Sequence, residues 1–257
     1  MVGILGPQLL RRDGAGDPHG HHEQLRARRG LGPRHHQPAV GHQRTGVDSP
    51  RAENGHGRGA ASRAAQLTPV LCLITDRHRF GSTWERAIVE RVGAAARDGV
   101  HLVQIRERDL DGGPLTRLVA ACVAAVRGTR TRILVNDRLD IALAAGAHGV
   151  HLRADSFGAC RVRSMAPRPF LVGRSVHSVE EAVAAADEGG LDYLIFGTVF
   201  ESASKPGHAA AGVAGLAAVS GATRLPVLAI GGMTRERIPD VMAAGASGVA
   251  AISMFGY

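Results

Sequence analysis

Amide and lysine side chains are nearly missing from most of this 257-residue chain. Residues 67–257 contain one Gln (Gln104), one Asn (Asn136) and one Lys (Lys205), and every other basic residue there is Arg. Aromatic residues make up only 4% of the chain. In a composition pressed so far toward Arg, Ala, Gly and Val, each surviving Gln, Asn or Lys becomes a marker to locate on the fold. Long apolar runs are also lacking. None approaches the ~18 residues of a membrane-spanning helix, which excludes that class and a membrane partner. The apolar Met1–Leu10 precedes Arg11-Arg12, the wrong order for a secretory or twin-arginine signal. Cysteine is scarce: Cys72, Cys122 and Cys160 stand too far apart for a zinc knuckle or a redox pair. An odd number of thiols without a signal predicts a reduced, cytoplasmic protein.

Charge is present but unevenly spread. Of the net +8, residues 67–257 carry +3, from 21 basic and 18 acidic residues. Residues 1–66 hold 10 Arg against 5 acids, 7 of the 13 His, and no Phe, Trp or Tyr. A stretch so poor in apolar residues cannot offset its ordering entropy. The expectation is a disordered Arg/Gly/His-rich tail over 1–66, or translation from an upstream start, followed by one domain over 67–257. Without aromatic interleaving or a motif, no nucleic-acid partner is predicted. The sequence leaves the oligomeric state open, a homo-oligomer included.

From Pro69 onward, short apolar runs alternate with Ala-rich stretches. The runs are Val70–Ile74, His101–Ile105, Arg132–Val135, Gly149–Leu152, Phe170–Gly173, Tyr193–Phe196, Val227–Ile230 and Gly248–Ile252. Helix-like segments cover Trp84–Arg97, Pro114–Arg127, Leu139–Ala145, Val179–Glu188 and Arg235–Ala244. Near-continuous apolar strands between helices imply a parallel sheet buried on both faces. Eight such units predict an α/β fold, a (β/α)8 TIM barrel, with a doubly wound open sheet as the alternative. Leu143–Val150 and Met242–Val249 echo one another, each reading as a helix end, a Gly cap and a new strand.

In such a barrel, ligands sit at the carboxyl ends of the strands. After the second run, period two places Gln104, Arg106 and Arg108 on one face. Two guanidinium groups there suit a phosphate or diphosphate, whose oxygens their planar fork binds bidentately. The competing reading is a salt-bridged strand end built on Glu107. After the third run, Asn136-Asp137 offers either a Mg²⁺ ligand in Asp137 or a helix cap. Asp155 follows the fourth run; Ser175 and His177 follow the fifth, and His titrates in the range useful for proton transfer. Ser202, Ser204 and Lys205 follow the sixth, and Lys is a compact cation suited to a terminal phosphate. Gly231-Gly232 follows the seventh and reads as the opening of an anion-binding helix. Ile252-Ser253 ends the eighth.

These stretches resemble the thiamine phosphate synthase/TenI family from about Leu71 to Phe255. The resemblance is carried by Ile74-Thr-Asp76, Gln104–Arg108, Asn136–Leu143, Gly149–Leu152, Ser175–Ser178, Phe196–Phe200, Ser204–Gly207 and Ala229–Thr234. It implies a thiamine-biosynthesis transferase acting on small phosphorylated pyrimidine and thiazole substrates. A hydroxymethylpyrimidine diphosphate would lose diphosphate, and the nitrogen of a thiazole phosphate would capture the methylene, giving thiamine phosphate. Gln104, Arg106, Arg108, Asn136 and Lys205 would hold the pyrimidine diphosphate, with Arg106 and Lys205 acting in catalysis. Asp137 would bind Mg²⁺, and Ser175 would lie beside the pyrimidine. Ser202, Ser204, Gly232, Ile252 and Ser253 would hold the thiazole phosphate.

The chain also departs from the synthase pattern. Synthases carry Gly-Gln-Glu-Asp after the fourth strand, the last Asp being a second Mg²⁺ ligand. Here Ser156 takes that position and Asp155 comes one residue early. The stretches Gly173–Ser178 and Asp155–Phe157 look more like TenI, a thiazole tautomerase in which His177 would move a proton. The last helix of the family is missing or cut short. A tautomerase, or an inactive phosphate-ligand-binding barrel, is therefore the alternative to a synthase.

Overall fold

The computed structural model describes residues 68–202 and 209–256. The expectations for the tail over 1–66, for Ser204 and for Lys205 fall outside these described residues. Eight parallel strands close into a barrel in chain order: β1 Val70–Ile74, β2 Leu102–Ile105, β3 Arg132–Asn136, β4 Gly149–Leu152, β5 Leu171–Val176, β6 Tyr193–Phe196, β7 Val227–Ile230 and β8 Gly248–Ala251. Every predicted run forms a strand, and β1 pairs with β8, so the sheet is closed and not an open doubly wound one. Among the described residues, seven α-helices lie between them: α1 Trp84–Arg97, α2 Gly112–Ala125, α3 Leu139–Ala144, α4 Ala159–Met165, α5 Val179–Glu188, α6 Gly212–Ala222 and α7 Ile238–Ala243. Among the described residues, β8 runs into a turn around Ile252–Phe255 and no helix follows it.

Strand parity divides the core. Cys72, Ile74, Leu102, Leu134, Tyr193, Ile195, Leu228 and Ala250 form one cluster, which fills the barrel interior. Residues of the opposite parity, such as Leu73, Val103, Ile133, Val150 and Val249, pack under the helices. Both faces of each strand are thus buried, which is why the strands read as unbroken apolar runs.

Helices α4 and α6 have no counterpart in the sequence expectations. The first is a short Arg-containing segment, ACRVRSM. The second, GVAGLAAVSGA, has no polar face to produce a period. Helix ends were more legible. After α1, α3 and α7, a glycine with positive φ (Gly99, Gly146 and Gly245) is followed by a residue whose N–H reaches back into the last turn. The bonds Gly146 N–H to Leu143 O and Ala147 N–H to Ala142 O, at 3.2 and 2.8 Å, define a Schellman cap.

Candidate active site at the carboxyl ends of the strands

The inner face ends in polar groups. Continuing the period-two order upward brings Gln104 to the top of β2, Asn136 to β3, His151 to β4 and Ser175 to β5. They open into a cavity of about 650 Å³ at the carboxyl rim. Gln104, Arg106, Arg108 and Asn136 line it, as do Asp155, Ser175 and His177. Ser202, Gly232, Ile252 and Ser253 complete the predicted residues found there. Asp137 stands just behind the lining, within reach of Arg153, which does line the cavity.

Gln104 Nε2 donates to Asn136 Oδ1 at 3.0 Å, joining the domain's only Gln and Asn. Asn136 therefore does not cap α3. Asp137 does not either: its carboxylate accepts from the Ser156 hydroxyl, and Arg153 Nη1 stands 3.7 Å from its other oxygen. Asp137 is the one described non-glycine residue with positive φ, at 57°. Its N–H donates to the His151 carbonyl at 2.9 Å. Such a conformation in a non-glycine residue costs energy and is held in place by its surroundings.

Arg106 and Arg108 are aimed by a lock on the other face of the β2 terminus. Glu107 is buried and accepts from Thr75 Oγ1 at 2.5 Å and from Arg77 N–H at 3.0 Å. Thr75 Oγ1 in turn accepts from Arg106 N–H at 3.0 Å. Burial raises the Glu107 carboxyl above its ordinary range, partly opposed by those hydrogen bonds. The salt-bridge reading of Glu107 is thus replaced by a hydroxyl and a backbone amide. Burial, followed by the charge of Arg108, lowers the Arg106 guanidinium from its usual value. A cation in that position gains from a bound anion. With Arg79 and Arg153, four guanidinium groups face the cavity.

Asp155 is committed elsewhere. It takes Arg153 bidentately, with Nε to Oδ1 at 2.9 Å. Among the described residues, no group of three or more His, Cys, Asp or Glu side chains could hold a metal. Asp137 is oriented by the Ser156 hydroxyl and faces Arg153.

His177 lies across the cavity. Its Nδ1 is 2.7 Å from the Gly197 carbonyl, which can only accept, so Nδ1 carries the proton. In the neutral ring the lone pair then falls on Nε2. The Gly231-Gly232 segment corrects a second expectation. No helix opens there, because α7 begins only at Ile238, and the anion-binding helix start is absent at that point. The glycines are needed for close approach instead. A Cβ on Gly232 would stand 2.4 Å from the Glu201 carbonyl, and φ is +58°.

The sequence assigned no site role to Thr75, His151 or Tyr193 and read Glu107 only as a salt-bridge partner. For His151 a signal existed: it shares the inner parity of β4 with Gly149. Thr75 and Glu107 carry no such signal, since their meeting spans 32 residues.

Comparison with known proteins gives a consistent picture. The family model described as thiamine monophosphate synthase (TMP-TENI) matches residues 71–255. A thiamine-phosphate synthase from Methanoregula boonei is 39% identical over 187 residues, covering 71% of this chain and 83% of the relative. One from Methanoculleus marisnigri is 42% identical over 163 residues, 62% of this chain and 75% of the relative. The solved thiamine phosphate pyrophosphorylase of Pyrococcus furiosus is 30% identical, with a TM-score of 0.62, over 72% of this chain and 86% of that one.

Proposed function

Since the chain belongs to the thiamine monophosphate synthase family, we propose that it joins hydroxymethylpyrimidine diphosphate to a thiazole phosphate, releasing diphosphate. The observation that carries this reading is the convergence of Arg106 and Arg108 on one cavity beside the Gln104–Asn136 pair. A neutral ligand has no use for the Arg106 and Arg108 guanidinium groups, whereas a diphosphate pairs with them bidentately; Arg79 and Arg153 are already paired with Asp76 and Asp155.

The reaction breaks the bond between the pyrimidine methylene carbon and a diphosphate oxygen, and the electron pair leaves with the diphosphate. The thiazole nitrogen then forms the new C–N bond. Arg106 and Arg108 stabilise charge growing on the leaving oxygens, in a site where burial strengthens the effect. Gln104 and Asn136, fixed by their mutual bond, keep an amide N–H₂ and an amide oxygen for the substrate. Lys205 belongs to the same diphosphate set by resemblance. Ser202, Ser204, Gly232, Ile252 and Ser253 are assigned to the thiazole phosphate. Asp137 would hold Mg²⁺, which when bound supplies further neutralisation of the diphosphate. Asp155, tied to Arg153, is not assigned a metal role.

The decisive assay mixes the purified protein with both substrates, with and without Mg²⁺, and follows thiamine phosphate and diphosphate by chromatography. Equal amounts of both products support the reading. Absence of both under every condition overturns it.

One observation favours a second reading. His177 lines the same cavity with its Nδ1 anchored to the Gly197 carbonyl, and an imidazole there could move a proton, as a thiazole tautomerase requires. That reading expects metal-independent isomerisation of a thiazole carboxylate phosphate, abolished in His177→Ala. Isomerisation that survives this change, or that needs Mg²⁺, removes it.

A further inference from the structure

Arg237 does not line the cavity, and the proposed reaction gives it no role, yet its guanidinium is committed to the rim. It is half-buried, and among the described residues it meets a carbonyl and an aromatic ring, not a carboxylate. Its Nη1 donates to the Gly232 carbonyl. Its Cζ stands 4.4 Å from the centre of the Phe200 ring, a cation–π contact. Phe200 N–H in turn donates to the Gly231 carbonyl at 3.2 Å. Phe200, Gly231, Gly232 and Arg237 thus close a ring of contacts that joins the segments following β6 and β7. The turn after the Gly pair delivers Arg237 to this place: its N–H donates to the Thr234 carbonyl at 3.3 Å, which folds the chain back toward Gly232.

Two successive glycines need such a brace. Gly231 and Gly232 sit at φ of +102° and +58°, and glycine by itself selects no single backbone conformation. The bond from Arg237 fixes which way the peptide between Gly232 and Met233 faces, and the charge on the donor strengthens it. That peptide is trans, so its N–H points opposite to its carbonyl. The carbonyl is turned to Arg237, outside the lining; the Met233 N–H is therefore turned toward the cavity that Gly232, Met233 and Thr234 line. Among the described residues, neither the Gly232 N–H nor the Met233 N–H has an acceptor. Open backbone donors of this kind suit an anion.

We propose that Arg237 is a positioning residue: braced on Phe200, it holds the Gly232–Met233 peptide with its N–H toward the cavity and so sets the affinity of this rim for the phosphate of the thiazole substrate. The identity of the anion rests on the synthase reading; the brace does not. Arg237 acts only through the peptide it orients, and its charge never meets the ligand directly.

Calorimetry on the full chain compares thiazole phosphate with hydroxymethylpyrimidine diphosphate. Arg237→Met keeps the length of the side chain and removes its donors. It should weaken thiazole phosphate about tenfold and leave the pyrimidine diphosphate unchanged. Arg237→Lys can still donate to the carbonyl and should recover part of the loss. Phe200→Leu keeps the charge but removes the ring, and should weaken thiazole phosphate about threefold. Equal weakening of both ligands in Arg237→Met overturns the proposal, as does unchanged thiazole phosphate binding in that variant or in Phe200→Leu. Amide hydrogen exchange of the ligand-free protein judges the brace separately. The Phe200 N–H should exchange about tenfold faster in Arg237→Met than in the wild type, and equal rates overturn the brace. If the wild type binds neither ligand, the synthase reading fails, and the exchange rates still decide whether Arg237 holds the two segments together.

Discussion

Among the described residues, no carboxylate is hydrogen-bonded to Arg106, and its backbone is held by Thr75, which is itself held by Glu107. It is therefore poised for an exogenous anion. Arg106→Ala should lower kcat/KM for the pyrimidine diphosphate by a factor of about 10² to 10³, the usual cost of removing one donor to developing negative charge. Steady-state kinetics checks this, and an unchanged kcat/KM would remove Arg106 from the mechanism. Arg153 makes the opposite contribution. Its guanidinium faces Asp137 at 3.7 Å and is clamped by Asp155, so it competes with any cation for the Asp137 carboxylate. Arg153→Ala should lower the Mg²⁺ concentration for half-maximal turnover by about twofold to fivefold, the modest size expected of an exposed pair. Asp137→Asn should raise it or abolish turnover. A Mg²⁺ titration of the three proteins distinguishes these outcomes. Gln104 and Asn136 could be picked out from composition, but their 3.0 Å contact needed adjacent strands to be in register.

At the level of elements, the repeated Ala-Ala-Gly-Ala-X-Gly-Val pattern has two separate causes. Its first glycine, Gly146 or Gly245, is the positive-φ residue of a Schellman cap. Its second, Gly149 or Gly248, begins a strand where the neighbouring backbone leaves no room. A Cβ on Gly248 would stand 2.1 Å from the Val70 carbonyl, and one on Gly149 would stand 2.4 Å from that of Leu171. The two glycines should respond differently to alanine. Gly146→Ala meets open space and pays only for backbone conformation, about 1 kcal/mol. Gly248→Ala forces strands apart, costing about 3 kcal/mol or preventing folding. Urea denaturation measures both, and equal losses would contradict this division. The start of α7 was misplaced in the sequence because the Gly pair looks like a helix opening. The chain instead spends Thr234–Arg237 in turns before Ile238 and Pro239 begin the helix.

The whole molecule stores a pH dependence in its buried histidines. His151 titrates at about 3 in the fold against 6.5 for a free ring. Its folded value is depressed, so the unfolded chain binds the extra proton first. The contribution is complete above 6.5 and is lost as pH falls toward 3. Between pH 6.5 and 5, His151 alone removes roughly 2 kcal/mol. His101 and His148, also lowered mainly by burial, act in the same direction. Glu107, raised by burial, acts in the opposite sense: its contribution is full below about 4.5 and fades as pH rises through its folded value. Urea midpoints at pH 7 and 5 should show the fall, and His151→Asn should flatten it; equal stability of the wild type at both values would contradict it. By itself the sequence determined the eight strands, their parallel order and the rim on which Gln104, Arg106, Asn136, Ser175 and His177 gather, because apolar period and glycine punctuation are local properties. Only the tertiary structure decided that Glu107 and Thr75 aim the arginines, that Ser156 and Arg153 share Asp137, and that Tyr193 reaches Ser175 through His151. Those contacts join residues 16 to 42 positions apart, and distances between strands exist only once the barrel has closed.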